Sequence, residues 1–101
     1  MTSDETTPDA LAARLKAEYR EHLPTAVASL EEALELHRRV PVEGAAAVRR
    51  LAHQLAGSGG SYGFPEITAR AREAERAPEQ GLTGATQSLI ALLRDLASPL
   101  P

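Results

Sequence analysis

The chain has 101 residues, enough for one small domain with a single core and too few for two. It is 43% hydrophobic but only 3% aromatic and has no Trp, so the core must be built from Leu, Val and Ala on closely packed elements, which favours helices. The absence of Cys excludes a disulfide framework, a thiolate nucleophile and thiolate metal sites. With a net charge of −3 and basic residues scattered singly or in pairs, the broad positive surface that nucleic acid requires is missing. The polar, acidic start Met1-Thr2-Ser3-Asp4-Glu5 and the lack of an apolar run near the ~20 residues of a membrane span point to a cytoplasmic protein with no membrane or nucleic-acid partner.

In chain order, residues 1–7 read as a polar tail, residues 8–97 as one helical domain and residues 98–101 as a C-terminal tail. The starting Met1 and the polar ends suggest a free-standing chain. Thr7-Pro8-Asp9 supplies an N-cap, a proline at the first helical position and an acid in the first turn, so a helix is expected to begin there. Its apolar stripe, Leu11, Leu15 and Tyr19, is thin and suits a helix laid along or across the end of a bundle. Pro24 breaks or kinks the chain. A core helix follows, with Leu23, Val27, Leu30, Leu34 and His37 on one side and Glu31, Glu32 and Glu35 towards the other. Val40-Pro41-Val42-Glu43-Gly44 reads as the first clear connector. The next helix is expected to run to Tyr62 and stop at Gly63, a good left-handed terminal residue. Phe64-Pro65-Glu66 restarts the chain, and Ile67, Ala71 and Ala74 mark a narrow inward stripe among Arg70, Arg72, Glu73, Glu75 and Arg76. After a connector at Ala77-Pro78-Glu79-Gln80-Gly81, Leu82, Ala85, Leu89, Leu92, Leu93 and Leu96 give the widest apolar face in the chain. No strand-length alternation and no internal repeat occur. The expected fold is all-α, an antiparallel four-helix bundle with an additional N-terminal helix.

One stretch breaks the local rules. Val48, Leu51, Ala52, Leu55, Gly59 and Tyr62 recur at the spacing of one helix face, which leaves Arg49, His53, Ala56, Gly57 and Gly60 on the other. Gly57, Gly59 and Gly60 each cost roughly 1 kcal/mol relative to Ala inside a helix, so propensity gives no reason for them. Gly57 and Gly60 follow His53 on its own face, where missing side chains would leave the imidazole open to a large, close-approaching surface.

These residues resemble the histidine-containing phosphotransfer (HPt) domains of bacterial-type phosphorelays. Family members carry an exposed helical His, an aliphatic residue two on, commonly a Lys three on, a Gly four on, small residues after that and a Gly ten on. His53, Leu55, Gly57, Ser58, Gly59 and Gly63 fit. Ile67 and Glu75 fall where the next helix usually has an aliphatic and an acidic residue. Ala56 stands in place of the Lys, and the pair Arg49-Arg50, one turn before His53, could supply charge instead. The resemblance implies that His53 is a phosphoacceptor, with Arg49, Arg50, Gln54, Ala56, Gly57 and Gly60 forming the docking surface and phosphate surroundings. It also implies receiver domains of response regulators and a histidine kinase or hybrid kinase as partners. Magnesium is expected on the receiver, with no cofactor and no kinase activity on this chain, which is expected to be a monomer.

An exposed imidazole in water is largely uncharged at neutral pH, so it can act as a nucleophile without an activating base. Two other readings stay open: a helical adaptor that docks partners without being phosphorylated, and an enzyme using His53 as general base, for which no nucleophile or oxyanion donor is placed. His22 and His37 lack comparable surroundings and receive no role. The spacing of the three histidines is too wide for close zinc-ligand pairing. The glycine run lacks the Lys-Ser or Lys-Thr and the preceding strand of a phosphate-binding loop. Glu31, Glu32 and Glu35 have the ordinary appearance of a solvated helix face.

Overall fold

A computed structural model describes residues 7–98. Apart from Thr7 and Ser98, the tails expected at 1–7 and 98–101 lie outside the described residues. Five α-helices account for most of the described residues: α1 (Pro8–Glu21), α2 (Leu23–Arg39), α3 (Pro41–Gly59), α4 (Pro65–Arg76) and α5 (Leu82–Ala97). Single 3-10 turns follow α3, at Gly60–Tyr62, and precede α5, at Glu79–Gly81. Among the described residues there is no strand. Helices α2 to α5 form a closed ring, each against the next and α5 returning to α2. Their short connections make successive helices antiparallel.

Proline sets most of the starts. Pro8, Pro24, Pro41 and Pro65 all occupy the first turn of a helix, where the missing N–H has no intrahelical partner to lose. The Thr7 hydroxyl accepts from Ala10 N–H at 3.1 Å and completes the first of these caps. Between α1 and α2 only His22 intervenes, itself near helical geometry.

The segment Val40–Gly44, expected as a connector, is different. Val40 alone makes the turn, and Pro41 already belongs to α3. Gly44 serves packing: a Cβ there would lie 2.1 Å from His37 Cα, so the bare backbone is what lets α2 and α3 approach. The other end of α3 also departs in detail. The α-helix stops at Gly59, a 3-10 turn carries on to Tyr62, and Gly63 takes the left-handed conformation at φ 95°. Phe64 N–H then closes on Gly59 O at 2.8 Å.

The main core joins Leu23, Val27 and Leu30 of α2, Ala52 and Leu55 of α3, Ile67, Ala71 and Ala74 of α4, Leu89, Ile90 and Leu93 of α5, and Phe64. Ala33, Val48 and Leu82 close the opposite end. Thr86 is the buried polar residue among them, its hydroxyl donating to Leu82 O at 2.7 Å within α5. Leu92 and Leu96, expected on this inward face, are only partly buried, while Thr86 and Ile90 are buried.

Of the α1 stripe, Leu11 and Leu15 remain exposed and only Tyr19 docks. Its ring stacks on Tyr62 at 4.9 Å and on Phe64 at 5.7 Å. Lys16 and Arg20 lie over the Phe64 ring, and Arg20 Nε donates to Leu96 O at 3.1 Å. Thus α1 is fastened by its last turns to the end of the bundle that carries the α3–α4 turn. Tyr62, expected on the buried face of α3, is exposed apart from this stack.

Gly44 and Gly84 separate packing from propensity. A Cβ at Gly84, on α5, would meet nothing within 4 Å. Gly84→Ala is therefore expected to raise stability by up to ~1 kcal/mol, and Gly44→Ala to lower it by about 1–3 kcal/mol as α2 and α3 are forced apart. Thermal melting of the two variants checks this, and a Gly44→Ala chain as stable as wild type would contradict the close approach.

Candidate functional site

The site is organised by the α3–α4 hairpin. At its closed end Gly59 is buried, and a Cβ there would come within 2.8 Å of Ile67 Cβ. Packing therefore accounts for one of the three glycines that propensity left unexplained. Next to Ile67, Thr68 ties the helices together on either side of Gly59, its hydroxyl donating to Ala56 O at 2.8 Å and accepting from Gly60 N–H at 2.8 Å. This bridge leaves Gly60 exposed, with its backbone donor satisfied.

Following the same antiparallel register away from the turn, α4 brings Glu75 beside His53. Glu75 Oε2 lies 2.7 Å from His53 Nδ1, while the His53 side chain stays 76% exposed. A carboxylate can only accept, so Nδ1 carries the proton and donates. In the neutral ring the lone pair then sits on Nε2. A second contact fixes Glu75 from behind: Arg49 Nη1 donates to Glu75 O at 2.7 Å. That carbonyl belongs to the last turn of α4, where no intrahelical donor follows, so Arg49 caps the helix.

The remaining candidates divide between three surfaces. His53, Ala56 and Gly57 share a groove of about 450 Å³ with Arg72, Glu75 and Arg76 of α4. Gly57 is exposed, and a Cβ there would meet nothing within 4 Å, so unlike Gly59 it has no packing reason to be glycine. Gln54 faces a separate groove of about 300 Å³ whose walls include Tyr19, Ala26, Leu51 and Leu55. Arg50 faces a third groove, against Glu32 and Arg39 of α2, and is not brought to the His53 groove. The structure thus assembles His53, Ala56 and Gly57 with Arg49 and Glu75 behind them, and sets Gln54 and Arg50 apart.

Residues of α4 were the less legible half. Thr68, Arg72 and Arg76 received no role in the sequence, although Arg72, Glu75 and Arg76 stand at the i, i+3 and i+4 spacing of one helix face. His37 is also tied down, its Nε2 lying 2.7 Å from Glu79 Oε2 with the ring only 13% exposed. It pins the α4–α5 connection to α2. Among the described residues no three His, Asp or Glu side chains converge as metal ligands, and no helix is long and apolar enough to cross a membrane.

A model of the Hpt domain matches residues 14–100 of the chain. No curated protein and no solved structure gives a significant match.

The Glu75 contact has a direct spectroscopic consequence. In ¹⁵N spectra of the full chain the neutral His53 ring is expected to be protonated at Nδ1, and Glu75→Ala to move a large part of that population to the Nε2-protonated form. An unchanged ratio in Glu75→Ala would show that the carboxylate does not set the tautomer.

Proposed function

The chain belongs to the Hpt domain family, and from that premise we propose that His53 is its phosphoacceptor. Hpt domains act in phosphotransfer within two-component signalling and are phosphocarriers rather than kinases. In this reading His53 takes a phosphoryl group from an aspartyl phosphate of a receiver domain, or from a histidine kinase system, and passes it to another response-regulator aspartate. The chain works as a monomeric carrier in the cytoplasm, with the magnesium ion held by the receiver.

The observation that carries this reading is the exposed His53 ring with Nδ1 held by Glu75. The Nε2 lone pair attacks phosphorus, the bond from phosphorus to the aspartyl oxygen breaks, and the carboxylate leaves with the electron pair. Because Nδ1 already bears a proton, the phosphorylated ring is formed as a cation. Glu75, 2.7 Å away, offsets that charge. Return of the phosphoryl group to another aspartate reverses these steps. Transfer of this kind depends mainly on alignment and charge stabilisation, and a fixed ring on a helix supplies the alignment.

Gly57 supports the same reading from the partner's side. Its missing side chain lowers the surface one turn beyond His53, where a receiver has to come close for its aspartyl phosphate to lie in line with the ring.

The test uses two donors, a phosphorylated receiver and phosphoramidate. Wild type is expected to be labelled by both and His53→Gln by neither, with melting of the latter within about 0.5 kcal/mol of wild type because the ring is a surface group. Gly57→Leu is expected to lose transfer from the receiver by on the order of 100-fold while phosphoramidate still labels it, since misplacement by about 1 Å is enough to disrupt in-line approach. Receiver binding without label on His53 would favour the adaptor reading. Turnover of a small substrate would favour an enzyme.

A further inference from the structure

We propose that Arg72 and Arg76, across the groove from His53 on α4, hold the phosphoryl group while the ring carries it. The inference rests on the phosphocarrier reading and names the cations of that site.

A phosphoryl group on Nε2 brings up to two negative charges onto a ring whose other nitrogen is held by the Glu75 carboxylate. The positive charge of the protonated ring is already offset by Glu75, so the phosphoryl dianion gains from a further cation beside it. The candidates on α3 do not provide one freely. Ala56 is uncharged, Arg50 faces the groove against Glu32 and Arg39 of α2, and Arg49 is bound to Glu75 O as the cap of α4. The charged residues left in the His53 groove are Arg72 and Arg76.

Their placement suits the task. Arg72 and Arg76 are one turn apart on α4, with Glu75 on the same face between them. Both are exposed, and among the described residues neither side chain has a hydrogen bond or an ion pair. Each guanidinium can therefore turn to an incoming phosphoryl group without giving up a contact. Arginine also matches phosphoryl oxygens with two parallel N–H donors, which a lysine cannot do.

The register explains why the charge sits on α4. Gly60 meets Thr68 and His53 meets Glu75, so Arg72 falls level with Ala56. A lysine at position 56 would place its ammonium against the Arg72 guanidinium. Alanine leaves the groove floor low, so that Arg72 can reach across it.

Phosphoramidate charges the full chain directly: the new bond joins Nε2 to phosphorus, the P–N bond of the donor breaks, and ammonia leaves. The ³¹P resonance of the phosphohistidine is then followed through pH. Neighbouring cations favour the dianion, so the double variant Arg72→Gln/Arg76→Gln is expected to raise the titration midpoint by about half a pH unit or more, and each single variant to raise it part of the way. Arg50→Gln is expected to leave the midpoint in place. The double variant Arg72→Lys/Arg76→Lys, which keeps both charges, is expected to stay close to wild type. A phosphorylated His53 whose midpoint does not move in the double Gln variant, or moves as far in Arg50→Gln, overturns this inference alone. Absence of phosphohistidine from the wild-type chain overturns the phosphocarrier reading and this inference with it.

Discussion

The arrangement depends on how closely α3 and α4 approach at their shared turn. Gly59 admits Ile67 to a distance that any Cβ would forbid, and Gly63 reverses the chain in a left-handed conformation that other residues adopt only with strain. Thr68 then locks the pair by bonding both Ala56 O and Gly60 N–H. Once that end is fixed, the antiparallel register carries Glu75 to His53 and Arg49 to the end of α4. The geometry at the imidazole is thus set by contacts two turns away, within a hairpin that also contributes Ala52, Leu55, Ile67, Ala71 and Ala74 to the core.

A single helix serves two purposes along most of its length. One face of α3 buries Val48, Ala52, Leu55 and Gly59, while the other presents His53 and Gly57 to solvent. The glycines divide by face. Gly59 offsets its unfavourable propensity by allowing close packing. Gly57, costing roughly 1 kcal/mol in the helix, gains nothing from its neighbours and keeps a surface low. The closed end of the hairpin is braced by α1, where Tyr19 stacks on Tyr62 and Phe64 and its hydroxyl meets Ser58 Oγ at 2.7 Å. Ser58 donates in turn to Gln54 O at 3.1 Å, so α1 is tied to α3 one turn beyond His53.

Much of this was legible because it follows from periodicity and from residues with few conformational options. The prolines at helix starts, the left-handed Gly63, the inward stripe of α4 and the opposition of His53 to the buried face are all local properties. What the sequence concealed depends on which helix meets which. Val40–Gly44 resembles a loop in composition, yet Gly44 is a close-packing residue whose reason lies in the backbone at His37. Arg49 and Arg50 are adjacent in sequence and look alike, but a rotation of ~100° between neighbours turns one to α4 and the other to α2. Thr68, Arg72 and Arg76 resemble ordinary surface residues until the α3–α4 register sets them against His53. The position of Glu75 was available through resemblance to a family, while its bond to Nδ1 required the structure.

The central claim is that Glu75 occupies Nδ1 and so leaves Nε2 as the nucleophile. The regiochemistry of the phosphorylated ring tests it most directly, because the two phosphohistidine isomers are distinct species in ³¹P and ¹⁵N spectra. Phosphorylation by a cognate receiver is expected to give the Nε2-phosphorylated isomer of His53. Phosphate on Nδ1, or on a residue other than His53, would contradict the account.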